Sequence, residues 1–327
     1  MAGAAIQYSR LTRSRTGMQS IRVPVLLCSL WLILAGPVRG DSPVWEVRGA
    51  EGAFLLGGTI HMLRPQDFPL PPVFDRAYAV TDALVLEVDL GALTSLEIAA
   101  LVREQGFYPP DRELADDLTG ETWARLETAA EDLGIPAEML ARMRPALAGL
   151  TLTQAQLARL GVTEMGIDGF YFQRARADGR PLAGLESAIE QMTMLLELGA
   201  EDPDRFFAAG FEDMARAAEL LAGAVLHWRA GNFDQLYAEL IAPTRKEDPT
   251  SYQRLFTDRN RAWMSDLEGF AGSPERQLVL VGAGHLGGPR GLLGMLREAG
   301  FTVRPWSSNQ DSPPPASSAG SPEVQRP

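Results

Sequence analysis

Near both ends of this chain the sequence repeats one pattern of strand, turn, helix and strand, and this pattern constrains the fold more than any other feature. The first copy has apolar strands at 53–60 and 83–89 with a helix at 72–81 between them. The second copy, at 277–305, has the same elements in the same order. Units of this kind form parallel or mixed sheets whose faces are covered by helices. The sequence therefore predicts an α/β fold with a central mixed or parallel sheet.

Between the two units, at about residues 93–270, apolar residues recur at the three- and four-residue spacing that is typical of helices. A short strand at 181–184 interrupts this region, and another at 44–47 precedes the first unit. We therefore predict a large helical insertion within one α/β domain. The predicted helices cover residues 94–105, 121–133, 136–160, 164–177, 187–198, 203–229, 232–241 and 250–268.

The N-terminal segment has the composition of a secretory signal peptide. Residues 1–22 carry four arginines and no acid, and an apolar stretch at 23–36 follows them. Val38 and Gly40 then supply an apolar and a small residue at the −3 and −1 positions of a cleavage site. The apolar stretch is short for a membrane span. We expect cleavage near Gly40 and a periplasmic or secreted protein that keeps no stable membrane span.

The mature chain follows as one domain and a tail. Translation starts at Met1 or at Met18, since either start leaves a signal of suitable length. The predicted domain covers residues 41–306, and residues 307–327, rich in Ser and Pro, form a disordered tail. The mature chain contains no cysteine, so a core of its own must stabilise it outside the cytosol.

The mature chain is strongly acidic. Residues 1–40 hold five arginines and no acid, which leaves 25 basic and 42 acidic residues and a formal charge of −17. Such a surface repels phosphate backbones and anionic headgroups. These numbers argue against nucleic-acid binding and against attachment to a membrane surface.

Two of the three histidines occupy matched positions. Each follows an apolar strand and a glycine, in Gly58-Thr-Ile-His61 and in Gly282-Ala-Gly-His285. Ligands of parallel sheets bind beyond the carboxyl ends of the strands, which is where both histidines fall. An imidazole can act there as a base, an acid or a metal ligand. The third, His227, lacks the glycine and lies in a helical segment, so we expect a structural role for it.

Acidic residues near the same sheet edge are further candidates. Glu87 lies in an apolar strand, where a carboxylate must be paired, hydrogen-bonded or bound to metal. Asp89 lies on the same face of the strand and is the alternative candidate for the same role. Glu186 follows the short strand at 181–184, but an acid that opens a helix can equally serve as a cap. Asp168 has a similar position, and the capping interpretation is favoured for it.

A helix near residue 260 carries two more candidates. Asn260 shares an apolar helix face with Trp263 and so points inward, where its amide needs partners. Arg259 lies beside it and can bind a carboxylate or an oxyanion, although the sequence alone favours a solvated arginine.

Seven short motifs, taken in order over residues 45–306, resemble those of the TraB/GumN family. The wider group includes the Tiki proteases, erythromycin esterase-like enzymes and ChaN-like haem-binding proteins. One departure is Asp258, where the family usually has Glu. The motifs are Gly58-Thr-Ile-His61, Leu86-Glu87-Val-Asp89, Gly166-Ile-Asp168, Gly184-Leu-Glu186, Trp228-Arg-Ala-Gly231, Asp258-Arg259-Asn260-Arg-Ala-Trp263 and Val281-Gly-Ala-Gly-His285-Leu-Gly.

The resemblance implies that five of these side chains converge in one cleft: His61, Glu87, Glu186, Arg259 and His285. It points first to a metal-dependent hydrolase, most simply a peptidase acting on a peptide or small molecule. His61, His285 and Glu87 would then bind a divalent ion such as Mn, Co or Zn and activate water. Glu186 would serve as general base or would orient a neighbouring group of the site, while Arg259 and Asn260 would stabilise the oxyanion.

Two alternatives remain open at this point. One is a metal-independent esterase-like hydrolase, in which a histidine oriented by a glutamate activates water. The other is a non-catalytic periplasmic protein that binds a ligand, a metal or haem, or acts as a regulator. The chain lacks the Cys-x-x-Cys-His motif of covalent haem attachment.

Overall fold

A computed structural model describes residues 42–163 and 165–307 of the chain. The predicted signal peptide and, apart from Ser307, the predicted tail lie outside these residues. The described part contains a six-stranded sheet. Its strands are β1 (Val44–Arg48), β2 (Ala53–Thr59), β3 (Ala83–Val88), β4 (Leu182–Glu186), β5 (Gln277–Gly282) and β6 (Thr302–Pro305).

The sheet is mixed, which is one of the two types that the sequence predicts, and its strand order is β4-β3-β5-β2-β1-β6. Strand β5 lies between β2 and β3 and is parallel to both, and β4 continues the parallel part beyond β3. Strand β1 pairs antiparallel with both β2 and β6. The two strands of each repeated unit are therefore not neighbours, because the first strand of the second unit inserts between the strands of the first.

The helices between β3 and β5, here called the helical insertion, match the predicted helical region with four interruptions. The predicted helix 136–160 divides before Pro145, whose ring allows a helix to begin but not to continue through it. The predicted helix 203–229 divides at Arg216, and 250–268 contains a π-helical turn, Gln253–Asp258. A second π-helical turn is Tyr237–Ile241.

The α-helices of the described residues are bounded as follows. They are α1 (Pro72–Ala79), α2 (Leu96–Gln105), α3 (Gly120–Asp132), α4 (Ala137–Ala141), α5 (Pro145–Arg159), α6 (Ile167–Asp178), α7 (Ala188–Leu196), α8 (Pro203–Ala215), α9 (Ala217–Ala230), α10 (Phe233–Leu236), α11 (Ala242–Glu247), α12 (Pro249–Tyr252), α13 (Arg259–Ala271) and α14 (Leu292–Glu298). Among residues 42–163 and 165–307, none of the helices is both long and apolar enough to cross a membrane.

The main apolar core lies around the central strands and joins them to the insertion. Leu55, Leu84 and Leu280 from adjacent strands are fully buried in it. Trp228 of α9 is also buried, and its indole N–H donates to the carbonyl oxygen of Gly58 at 2.7 Å. This bond fixes the insertion to the end of β2, just before the turn that carries His61.

The buried carboxylate of Glu46 links strands β1 and β6 at the antiparallel edge of the sheet. Its side chain is 1% exposed and accepts hydrogen bonds from Arg48 at 2.8 Å and from Arg304 of β6 at 2.6 Å. Burial alone would raise the pKa of Glu46, but these two arginines outweigh burial and lower it below its ordinary value. The carboxylate therefore stabilises the folded edge of the sheet.

Replacing Glu46 with Gln should lower the free energy of unfolding by about 2 kcal/mol at neutral pH, because charge-assisted hydrogen bonds are lost. The folded pKa is depressed, so the contribution is present above the unfolded pKa near 4.5 and disappears as the pH falls through the folded pKa. Urea unfolding from pH 7 to pH 3 should show the difference between wild type and variant shrinking below pH 4.5. Glu51→Gln, in the exposed β1–β2 loop, is the matched control. An equal loss in both variants would contradict this account.

Candidate functional site

The two Gly-x-x-His turns lie side by side because β2 and β5 are adjacent and parallel. The pairing of these strands ends with Thr59 opposite Gly282, so both chains leave the sheet at the same edge. The turns approach so closely that a Cβ on Gly282 would lie 2.9 Å from His61 Nε2 and 3.2 Å from Glu87 Oε1. Glycine is needed here for space, because only a residue without a side chain leaves these atoms room.

His61 is oriented by a buried carboxylate. Its Nδ1 lies 2.9 Å from Oδ2 of Asp168, whose other oxygen accepts a hydrogen bond from Thr59 Oγ1 at 2.8 Å. Nε2 therefore points the other way and lies 3.8 Å from Glu87 Oε1. The Asp168 carboxylate raises the pKa of His61 above its ordinary value. The imidazole is 59% exposed, so solvent and ligands can reach it.

His285 is buried and held in one tautomer. The amide nitrogen of Asn260 donates to the carbonyl oxygens of His285 and Arg290, at 3.2 and 2.8 Å, so its oxygen must face the ring. Asn260 Oδ1 then accepts from His285 Nδ1 at 2.6 Å, which leaves a lone pair on Nε2. Burial lowers the pKa of His285 to about 3, so the ring is neutral at physiological pH.

Glu87 lies between the two histidines. Its Oε1 accepts from the Gly282 backbone N–H at 2.6 Å and lies 3.7 Å from His285 Nε2. Its Oε2 accepts from Arg259 Nη2 at 2.5 Å. Burial alone would raise the pKa of Glu87, but His285 and Arg259 outweigh it and lower the pKa to about 2. The carboxylate is therefore ionised at neutral pH.

Arg259 contacts three of the site residues, Glu87, Glu186 and His285. Its Nε lies 3.1 Å from both oxygens of Glu186, and Nη2 lies 2.5 Å from Glu186 Oε1. Its Nη1 lies 3.2 Å from His285 Nε2, so one guanidinium joins β3, β4 and the second turn. Glu186 also accepts from Gln191 Nε2 at 2.9 Å. Both carboxylates that receive this guanidinium are thereby neutralised in part.

Five of the residues described above line one part of a cavity of about 600 Å³: His61, Glu87, Asp168, Arg259 and His285. Its opposite walls are mostly apolar and belong to the insertion. The substitute candidate Asp89 lies elsewhere, as do Asp258 and His227, which the sequence did not place in the site. Asp89 is exposed and accepts from Gly91 N at 2.9 Å, Asp258 pairs with Arg261 at 3.3 Å, and His227 pairs with Glu239 at 2.9 Å. The structure thus brings together the five side chains named by the resemblance and places Asn260 behind His285.

Comparison with known proteins gives the family. The model of the TraB/PrgY/gumN family matches residues 43–305. The chain belongs to this family. It is 30% identical over 285 residues to "Uncharacterized protein YbaP" of Escherichia coli (strain K12), an alignment that covers 82% of this chain and 97% of that protein. A protein of the same description from Shigella flexneri is 29% identical over 286 residues, with the same coverage of both chains. No solved structure matches the chain.

In this TraB-family chain Asp168 is part of the site, whereas the sequence favoured only a helix-capping role for it. The carboxylate lies in the first turn of α6, as a capping role requires, but it is 6% exposed and binds Thr59 and His61. The signal was present in the sequence, because Asp168 is part of the Gly166-Ile-Asp168 motif that accompanies the histidine motifs. The spacing alone did not show which residue Asp168 would contact.

Replacing Arg259 with Leu should cost about 3–5 kcal/mol of unfolding free energy, since two buried carboxylates would lose their common partner. Glu186→Gln should cost less, because Arg259 keeps its contact with Glu87. Urea denaturation at pH 7 is the measurement. The control is Arg261→Leu on the same helix, which is exposed and should stay within about 0.5 kcal/mol of wild type. Similar losses for Arg259→Leu and Arg261→Leu would contradict the stabilising role of this cluster.

Proposed function

We propose that this TraB-family protein is an exported hydrolase that binds a divalent metal ion, Mn, Co or Zn, through His61, Glu87 and His285. One observation carries the proposal. The two imidazole Nε2 atoms lie 3.8 and 3.7 Å from the same oxygen, Glu87 Oε1. When both rings are neutral, these three atoms all present lone pairs toward the same space, an arrangement that suits a metal ion. Export rests on the signal-like N-terminal sequence.

The surroundings of these atoms support a metal. Each histidine uses Nδ1 for a partner behind it, Asp168 or Asn260, as metal-bound histidines do. With neutral imidazoles, the site holds three carboxylates, Glu87, Asp168 and Glu186, and one guanidinium, which gives a formal charge of −2. A divalent ion would neutralise that charge.

The spacing is slightly wider than a loaded site requires. Donor atoms around a tetrahedral zinc lie about 3.3 Å apart, from the usual bond lengths. The described residues contain no group of three or more His, Cys, Asp or Glu side chains already spaced to hold a metal. The donor atoms of His61, Glu87 and His285 are of the types that bind such an ion. On binding, the two Nε2–Oε1 distances would need to shorten by a few tenths of an ångström.

A bound metal would supply a water of lowered pKa for attack on a carbonyl. The guanidinium of Arg259 lies beside these donors and would stabilise negative charge on the carbonyl oxygen. Glu186 binds Arg259 through both oxygens, so we propose that it positions this guanidinium. Asn260 is 2% exposed and uses its amide behind His285, which favours a positioning role over contact with an oxyanion.

A metal-independent hydrolase is the second candidate, and the His61–Asp168 pair favours it. A histidine whose Nδ1 faces a buried carboxylate presents Nε2 as a base for water. Asp168 also raises the pKa of His61, so in the absence of metal this base would be protonated at neutral pH. Activity of this kind would therefore increase toward alkaline pH.

Metal analysis of the purified mature protein, residues 41–327, tests the first candidate. We expect about one equivalent of Mn, Co or Zn in wild type and none in the His61→Ala/His285→Ala double variant. Gly282→Ala should also lose metal, because its methyl group would enter the space between His61 Nε2 and Glu87 Oε1. Gly294→Ala, whose Cβ meets nothing within 4 Å, is the matched control. Equal metal content in all four proteins would exclude this site.

Asp168→Asn tests the role of the carboxylate behind His61. Loss of such a partner typically weakens metal affinity by about 10–100-fold, and we expect this range in a competition titration with a chelator. Asp258→Asn, at an exposed acid, should leave the affinity unchanged. Hydrolysis of a peptide library by the same proteins separates the candidates. Turnover that survives complete metal removal supports the metal-independent enzyme, whereas metal binding without any turnover supports a binding protein.

A further inference from the structure

The cavity at the site has one polar end and one apolar end. The polar groups, among them His61 and His285, lie where the strands end. The facing walls come from the insertion and from the turn after β3. Six of these apolar residues are Leu93, Met194, Leu195, Leu240, Ile241 and Phe256. A polar group placed among them would lose its hydrogen bonds to water without replacement, so this end selects an apolar group.

The apolar wall begins directly at the turn that carries His285. The ring of Phe256 lies 5.1 Å from the His285 ring, centroid to centroid. A Cβ on Gly284 would lie 2.9 Å from Phe256 Cε1 and 3.2 Å from Ile241 Cδ1. Phe256 and Ile241 belong to the two π-helical turns, which are rare and are frequent at functional sites. Any carbonyl held at His285 therefore has its neighbouring atoms against hydrocarbon.

Two smaller cavities lie beside the first within the insertion. A second cavity of about 270 Å³ shares Ala224 and Leu240 with the first, and a third of about 230 Å³ shares Leu255 with it. The first cavity alone is in the size range that holds a drug-sized ligand, far more than one amino-acid side chain fills. The volume of the first cavity and its apolar lining residues therefore suit an alkyl chain of several methylene groups.

We propose that this cavity accepts a linear acyl chain, with the carbonyl at the histidine end and the alkyl chain among the helices of the insertion. The assignment of the carbonyl rests on the proposed hydrolase function. The alkyl site itself does not, because it depends only on the apolar walls. The substrate class that follows is an ester or amide of a medium-length or long fatty acid.

Binding of uncharged n-alkanols tests the alkyl site without any turnover. Butanol, hexanol, octanol and decanol should bind to the mature protein with an affinity that increases about two- to fourfold for each added methylene. Calorimetric titration measures this series. Uncharged probes are needed because the carboxylates of Glu87 and Glu186 would repel a fatty acid anion. An affinity independent of chain length would overturn the proposal.

Two substitutions test where the alkyl chain binds. Leu240→Trp should reduce the volume of the first cavity and weaken octanol binding at least tenfold, with butanol changed less than twofold. Met194→Trp reduces the same space from α7 and repeats the test should the first variant unfold. Leu96→Trp, at a side chain that is 90% exposed, is the matched control and should bind octanol as wild type does. Equal losses in Leu240→Trp and Leu96→Trp would overturn the assignment.

An apolar peptide is the competing occupant. N-acetyl-leucyl-leucine amide should bind more weakly than octanol, and tighter binding would overturn the acyl assignment.

The turnover assay separates this proposal from the hydrolase. Alkanol binding without hydrolysis of any ester, amide or peptide would exclude the enzyme and keep the alkyl site. Hydrolysis of acetyl and octanoyl esters with equal kcat/KM would keep the enzyme and exclude the alkyl site.

Discussion

The parallel pairing of β2 with β5 is the constraint on which the site depends. It joins segments about 220 residues apart in sequence, from Leu55 opposite Leu278 to Thr59 opposite Gly282. Closing so long a loop costs conformational entropy, which burial of the two apolar strands must offset. The histidine turns have no other means of meeting. The site therefore exists only when the whole sheet has formed, and its geometry is as rigid as the strands that carry it.

The second constraint is the buried charge of Glu87 and Glu186, because both carboxylates are paired with Arg259 and largely removed from water. An ion pair of this kind does little for stability, since desolvation opposes the attraction, but its disruption is costly. Glu87 comes from the sheet, whereas Glu186 and Arg259 come from β4 and from the last long helix of the insertion. The insertion thus completes the polar cluster, and Trp228 fixes it to the end of β2 by its bond to Gly58.

Much of the fold follows from local patterns, and part of the site does not. The strands and the position of each histidine at a strand end were predictable, because hydrophobic period and glycine placement are local properties. The sequence left open whether the sheet is mixed or parallel, and the convergence of the site was implied by the family resemblance. The position of β5 between β2 and β3 was not predictable, since no local signal sets strand order. For the same reason the sequence did not show that Asn260 would face His285 or that Asp168 would face His61. Such contacts depend on how distant helices pack against the sheet edge.

The two π-helical turns show how one segment serves both ends of the cavity. Gln253–Asp258 runs directly into α13, so the extra residue of a π-helical turn changes the direction in which Arg259 projects. The same turn places Phe256 against His285, and the turn Tyr237–Ile241 places Ile241 beside it. A regular helix through either segment would rotate these side chains away from the positions they occupy. The change from polar to apolar lining is therefore set by backbone geometry within the insertion, independently of the sheet that fixes the histidines.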